Sequence, residues 1–193
     1  MGAIYLDANT ESDIYGTGNS VAGTVLGSGA INVTGNGCSV FGYAQDSSAL
    51  QTEGWGNVAC GAAAAGGAVE ARGKGTFAAG QAAGGLLRTD AAANGAIAMG
   101  YALDNSLIAS GNGAIAIGMA DASSPLAASG EASVAIGRGI NNTLANCMVV
   151  GHYPRMAAMT TPTLTANNST STETVFAVGC GSNTNPINGL RVT

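Results

Sequence analysis

Charge is scarce in this chain. Asp, Glu, Lys and Arg make up 9% of its 193 residues, against roughly a quarter in ordinary soluble domains. Aromatics stand at 5%, prolines number 4, and there is a single histidine. Each shortage excludes something. Six Lys plus Arg, scattered and outnumbered by 11 Asp plus Glu, give no basic stripe for nucleic acid. No apolar run approaches the roughly 18 residues that a membrane-spanning helix needs. The opening MGAIYLDANTESD has neither a basic stretch nor an apolar one, so it does not read as a signal peptide. One histidine, His152, in a Gly-His-Tyr-Pro turn, leaves no material for a Ser/His/Asp constellation, and it reads as a turn residue. The cysteines at 38, 60, 147 and 180 never fall at CxxC spacing, which argues against zinc and for buried free thiols in a chain assembled in a reducing cytoplasm. Calcium-binding GGxGxD repeats and a complete GxGxxG before a helix are also missing, so no metal and no cofactor are expected.

What remains is alanine and glycine. Hydrophobic residues reach 46%, much of it alanine, and there are 31 glycines without a collagen triplet. A motif of the form hydrophobic–Ala–hydrophobic–Gly recurs, as in Val58-Ala59-Cys60-Gly61, Phe77-Ala78-Ala79-Gly80, Ile97-Ala98-Met99-Gly100, Ile115-Ala116-Ile117-Gly118 and Val134-Ala135-Ile136-Gly137. Looser copies end at Gly42, Gly151 and Gly179. The closing glycines are evenly spaced through Gly42, Gly61, Gly80, Gly100, Gly118 and Gly137; then Gly151 comes early and Gly179 late. Between them lies a second short apolar stretch ended by glycine, as in Ile108-Ala109-Ser110-Gly111, Leu126-Ala127-Ala128-Ser129-Gly130 and Val69-Glu70-Ala71-Arg72-Gly73. A repeat of about 19 residues with two short segments and two glycine turns is too short-stepped for helices and predicts stacked short strands.

Side chains alternate faces along a strand, so the first and third motif positions share a face and the middle alanine takes the other. The larger residues read as the core: Val58, Phe77, Ile97, Ile115 and Val134 in one ladder, Cys60, Ala79, Met99, Ile117 and Ile136 in the next. Phe77 beside Ala79 fits a volume kept constant from copy to copy. Ala59, Ala78, Ala98, Ala116 and Ala135 then read as a small, flat, apolar face that another chain can approach closely, and so as candidates for an interface between copies.

The segments Gly113-Ala-Ile-Ala-Ile-Gly118 and Glu131-Ala-Ser-Val-Ala-Ile-Gly137, with their Ala/Ser-Gly turns, resemble the head repeats of YadA-like trimeric autotransporter adhesins. The tail TVFAVGCGSNTNPINGLRVT over residues 174–193 is similar to segments of phage tail-fibre proteins. The resemblance covers about residues 37–151 and implies an all-β parallel β-roll, or β-solenoid, in a homotrimer of intertwined or side-by-side chains. It implies a structural and adhesive role in host attachment, on a phage or phage-like appendage assembled in the host cytoplasm. Its partners would be its own copies, other virion proteins, and a host-surface glycan or protein. The autotransporter head on a bacterial surface is the alternative. The autotransporter repeat is commonly shorter than most intervals here, which favours the phage reading.

The expected organisation is a cap or attachment segment over 1–36, the repeat array over 37–156, a Thr/Ser/Asn-rich linker over 157–173 and a hairpin-like segment over 174–193. Asp104, Asp121 and Glu131 fall in or near turns; a glycan depolymerase would need two carboxylates side by side, which no spacing here predicts, so no enzyme is expected. An ice-binding face would need ordered threonines where these repeats carry alanine. For receptor contact the candidates are Trp55, the sole tryptophan, between Gly54 and Gly56, and Tyr43, Tyr101 and Tyr153, each one or two residues after a motif glycine.

Overall fold

In the computed structural model the chain is an all-β parallel solenoid, described over residues 4–6, 12–154, 176–180 and 188–192, with backbone alone for 4–6, 188, 189, 191 and 192. The expected linker over 157–173 lies outside the described residues. Each coil contributes one strand to each of two sheets. Sheet A holds β1 (Ile4–Leu6), β3 (Ser20–Leu26), β5 (Ser39–Gln45), β7 (Val58–Ala64), β9 (Phe77–Ala83), β11 (Ile97–Leu103), β13 (Ile115–Ala120), β15 (Val134–Arg138), β17 (Met148–His152), β18 (Phe176–Cys180) and β19 (Asn188–Val192), in that order. Sheet B holds β2 (Ile14–Tyr15), β4 (Ala30–Asn36), β6 (Ala49–Trp55), β8 (Ala68–Lys74), β10 (Leu86–Thr89), β12 (Ser106–Ala109), β14 (Leu126–Ala128) and β16 (Asn141–Asn142). Neighbouring strands run parallel throughout, except that β18 and β19 are antiparallel.

The motif positions stack in register, Ile97 on Ile115 on Val134 and Gly100 on Gly118 on Gly137. The regular coils begin before residue 37. Val21 pairs with Val40 and Gly23 with Gly42, so Ser20-Val21-Ala22-Gly23 takes the place of the motif, in register, inside the segment expected to be a cap. Ser20 and Ala22 stand where later copies carry large apolar residues, and that disguises it.

The motif glycines have one steric cause. From Gly42 to Gly137 they sit at φ between 136° and 143°, which side chains do not tolerate. A Cβ on Gly100 would lie 1.9 Å from the carbonyl oxygen of Gly118 in the next coil. The coils therefore approach one another at a row where no side chain fits.

The expected core is inside out. The alanine ladder Ala59, Ala78, Ala98, Ala116 and Ala135 is buried between the sheets with no exposure at all, so these residues do not form the surface that meets another chain. A second interior row of sheet A is also small: Ala44, Ala63, Ala82, Ala102 and Ala120. Facing them from sheet B is the true large ladder, Ile31, Leu50, Val69, Leu87, Leu107 and Leu126, all fully buried. Two sheets joined by short turns enclose a thin slab. It accepts large side chains from one sheet only if the other supplies small ones. The residues expected to be core, Val58, Phe77, Ile97, Ile115 and Val134 with Cys60, Ala79, Met99, Ile117 and Ile136, lie on the opposite parity and point outwards from sheet A.

One corner of each coil is closed by a buried side chain just before a sheet A strand. Asn57 there donates to the Glu53 carbonyl at 2.7 Å and the Gly73 carbonyl at 2.9 Å, and accepts from the Thr76 amide at 3.0 Å. Cys38 and Cys147 occupy the same place in their own coils and are buried free thiols. Cys60 is half-buried and Cys180 exposed, also as free thiols.

Candidate functional site: two outer faces and a corner

Function in a roll of this kind has to be read from its outside, because the interior is filled. The outer face of sheet A is apolar in its first two rows. Its first row runs Val58, Phe77, Ile97, Ile115, Val134 and Met148, and its second runs Phe41, Cys60, Ala79, Met99, Ile117, Ile136 and Val150. Phe41 is 42% exposed and Met99 38%, large values for residues on a flat sheet. In two coils a large residue stands beside a small one, Phe41 with Ser39 and Phe77 with Ala79, whereas Ile97 with Met99 and Ile115 with Ile117 are large in both rows. The Phe77 and Ala79 complementarity read from the sequence therefore lies on the outside. A third outward row, beyond the glycines, holds Tyr43, Ala62, Gln81, Tyr101, Met119, Arg138 and His152. Strand spacing near 4.8 Å and a rise near 3.3 Å give the two apolar rows from β5 to β17 a footprint of roughly 350 Å², and the whole face with its third row roughly 700 Å².

The outer face of sheet B is polar over its first coils. Asn32, Gln51, Glu70 and Arg88 follow one another in register along its middle, before Ile108 and Ala127 continue the row. Gln51 donates to the Glu70 carboxylate, and Arg72 lies 3.2 Å from Glu70 and 3.6 Å from Glu53. Glu70 is nearly covered by this cluster. Opposite in character, the two faces are built from the two halves of one repeat.

The candidate recognition residues separate. Trp55 ends β6, is 65% exposed, and has the Lys74 ammonium 5.9 Å from its ring centroid. Tyr43 and Tyr101 share the third row of sheet A and are half-buried, with the Tyr43 hydroxyl donating to Gln45. Tyr153 leaves that row. Its ring packs where a Cβ on Gly139 would be, with the Arg138 guanidinium 5.9 Å away. The three tyrosines therefore do not form one row. His152 is exposed at the end of β17, beside Cys180 in register.

The carboxylates stay apart. Asp121 accepts from the Ser123 hydroxyl and amide and pairs with Arg138; the Ser123 bonds and the guanidinium hold its carboxyl below the usual range against the opposing effect of burial. Asp104 and Glu131 are exposed in turns on other coils. Among the described residues no three His, Cys, Asp or Glu side chains cluster as metal ligands, and no helix is long and apolar enough to cross a membrane. The recesses are shallow, of about 330 Å³ beside Gly84 and Asp104, 240 Å³ beside Tyr153 and 220 Å³ beside Trp55. Sequence reasoning missed Glu53 and Lys74 as neighbours of Trp55. The signal was their spacing, since Lys74 follows Trp55 by one full repeat.

Searches of family models, of curated proteins and of solved structures return no match to this chain.

Proposed function

We propose that this chain is a non-catalytic structural and adhesive segment of a trimeric fibre, belonging to a phage or phage-like appendage and serving host-surface attachment. The observation that carries the reading is the apolar outer face of sheet A. Contiguous exposed apolar surface beyond a few hundred Å² marks an interaction site on a protein surface. The two apolar rows, at roughly 350 Å², are of that order, and the whole face with its third row, at roughly 700 Å², is close to the ~800 Å² that each partner contributes to a stable interface. In this reading three copies bring their sheet A faces together around a common axis and leave sheet B outside. The interface residues become Phe77, Ile97, Met99, Ile115 and Ile117 rather than the alanines. The number three comes from the resemblance of the repeats to trimeric adhesin heads, and a bacterial adhesin head would use the same assembly. Stacked coils joined by continuous parallel ladders make a stiff rod, which is what a fibre needs.

The native mass in solution tests this. Light scattering is expected to give three times the 18.6 kDa of the single chain. The double substitution Ile97→Asp with Ile117→Asp is expected to reduce it to the monomer while the roll stays folded, because neither side chain enters the slab. A wild-type protein that is monomeric at micromolar concentration refutes the assembly and the fibre reading built on it.

A further inference from the structure

The corner where β6 leaves sheet B combines an exposed aromatic ring, a cation with no carboxylate partner among the described residues, and an unobstructed approach. Trp55 is held out between Gly54, at φ 119°, and Gly56, at φ 66°. Along the same corner Asn36, Trp55 and Lys74 stack in register, and Asn94 bridges to Lys74. All four are exposed. Beside this row runs a strip without Cβ atoms. At Gly37, Gly56, Gly75 and Gly95 an added Cβ would meet nothing within 4 Å, so the strip is open to solvent along the coil axis. The recess against the ring is lined by Glu53, Lys74, Ala91 and Asn94.

The charges at this corner are unevenly committed. Glu53 has Arg72 at 3.6 Å, and Arg72 has Glu70 as well. Among the described residues Lys74 takes part in no ion pair; its ammonium faces the indole. A ring face that is electron-rich enough to attract a cation also accepts the C–H face of a sugar ring. An ammonium that meets the indole face but no carboxylate among the described residues is suited to an anion. Amide and carboxylate groups on either side suit hydroxyls.

We propose that the Trp55 corner binds an acidic saccharide, with one sugar ring lying on the indole and the sugar's carboxylate pairing with Lys74. Glu53 and Asn94 receive hydroxyls, and the glycine strip carries the neighbouring sugars of the chain. The inference deepens the host-attachment reading and rests on it for its biological sense. Trp55 belongs to sheet B, not to the apolar face of sheet A. A single such corner is a weak site, and repetition on three copies would multiply its hold on a polymer.

Because Trp55 is the only tryptophan, fluorescence excited at the red edge of absorption, where the tyrosines do not absorb, reports on this corner alone. The intact protein is titrated with hexagalacturonate, a hyaluronan hexasaccharide and a short polysialic acid, with maltohexaose as the neutral control. A saturable change is expected with at least one acidic probe and not with maltohexaose, weakening as salt is raised. Lys74→Gln is expected to weaken that binding about tenfold or more, as loss of a charge-assisted contact does. Trp55→Leu, followed by calorimetry, is expected to abolish it. Both side chains are exposed, and an unchanged circular dichroism spectrum verifies the fold of each variant. No saturable change with any acidic probe up to about 10 mM overturns the proposal. Equal binding of maltohexaose, or an unaffected Lys74→Gln, overturns it too. The native mass separates the two readings. A trimer that binds no acidic sugar removes this site and leaves the fibre, whereas a monomer that binds one removes the fibre and leaves the site.

Discussion

Ala116→Leu decides which way the alanine ladder faces. Ala116 has no exposure, sits in register between Ala98 and Ala135, and shares the slab with Leu107 and Leu126, which are also fully buried. Leucine adds three heavy atoms to a space already filled. Overpacking of this kind typically costs about 1–3 kcal/mol and occasionally more, and a rigid slab held by cross-coil ladders puts this case near the upper end, about 3 kcal/mol. With a urea dependence of about 2 kcal/mol per molar, the midpoint falls by roughly 1.5 M. Unfolding is followed by the β-sheet circular dichroism band. Leu107→Ala alone costs about 2–5 kcal/mol as a core truncation. Combined with Ala116→Leu it costs less than the sum, because one change vacates space that the other fills, and contacting residues couple. If Ala116 faced outwards towards another chain, Ala116→Leu would alter the native mass, leave the monomer's midpoint in place and add independently to Leu107→Ala. That outcome would refute the inside-out assignment.

Gly100→Ala is expected to destabilise the roll by about 2–6 kcal/mol, combining a disallowed backbone angle with a Cβ against the Gly118 carbonyl, and a urea midpoint within 0.3 M (about 0.6 kcal/mol) of wild type would contradict this. Gly56→Ala meets no neighbour and incurs the angular cost alone, about 1–3 kcal/mol by the same assay. The Asp121 carboxyl is depressed in the folded state, so its contribution to stability is present above the ordinary carboxylate range and lost as pH falls through the lowered value; Asp121→Asn is expected to flatten the fall in urea midpoint below about pH 4, and an unchanged pH profile would show that the Ser123 and Arg138 contacts contribute nothing. Burial pushes the Cys60 thiol up, and it lies on the sheet A face. Maleimide labelling at pH 7 is therefore expected to be slow in the assembled protein and to quicken in the Ile97→Asp/Ile117→Asp variant; equal rates would place Cys60 outside the interface.

The period was legible in the sequence because the glycine row tolerates no substitute. A residue whose φ must be near 140° beneath a neighbouring carbonyl is the same from coil to coil, and the spacing from Gly42 to Gly137 records it. Strand parity was legible too, since Ile115 and Ile117 do share one face and Ala116 the other. The sense of that parity was not, because the usual rule that larger apolar residues go inside fails in a slab. What the alanines face is decided by the other half-repeat, where Leu50, Val69, Leu87, Leu107 and Leu126 recur with the same period as the glycines. On that half the outward partners include Gln51, Glu70 and Arg88, so polarity fixes the inside there. Reading the two halves together would have turned the alanines inwards. The Trp55 corner was half legible. The ring was visible, but Lys74 becomes its neighbour only once the repeat is wound.

The contrast between the two faces bears on why the chain has this repeat at all. Outward residues contribute nothing to filling the slab, so internal packing leaves both faces free to be polar, and sheet B takes that freedom with Asn32, Gln51, Glu70 and Arg88. Sheet A does not. From β7 to β15 its first two outward rows carry no charged residue, although a single lysine or glutamate there would improve solubility without disturbing a neighbour in the core. Selection for the fold alone would let such residues drift in on some coils. A face apolar in its first two rows over successive coils is what the proposed assembly requires, and nothing within the chain calls for it. A second copy of the same face is the simplest surface to meet it. It repeats at the same coil spacing, so every row finds a matching row along the whole length of the rod. That matching also supports the polar face and the Trp55 corner as the outside of the rod. In the proposed assembly, specificity can change at turns and corners while the interior and the shared face hold the rod together.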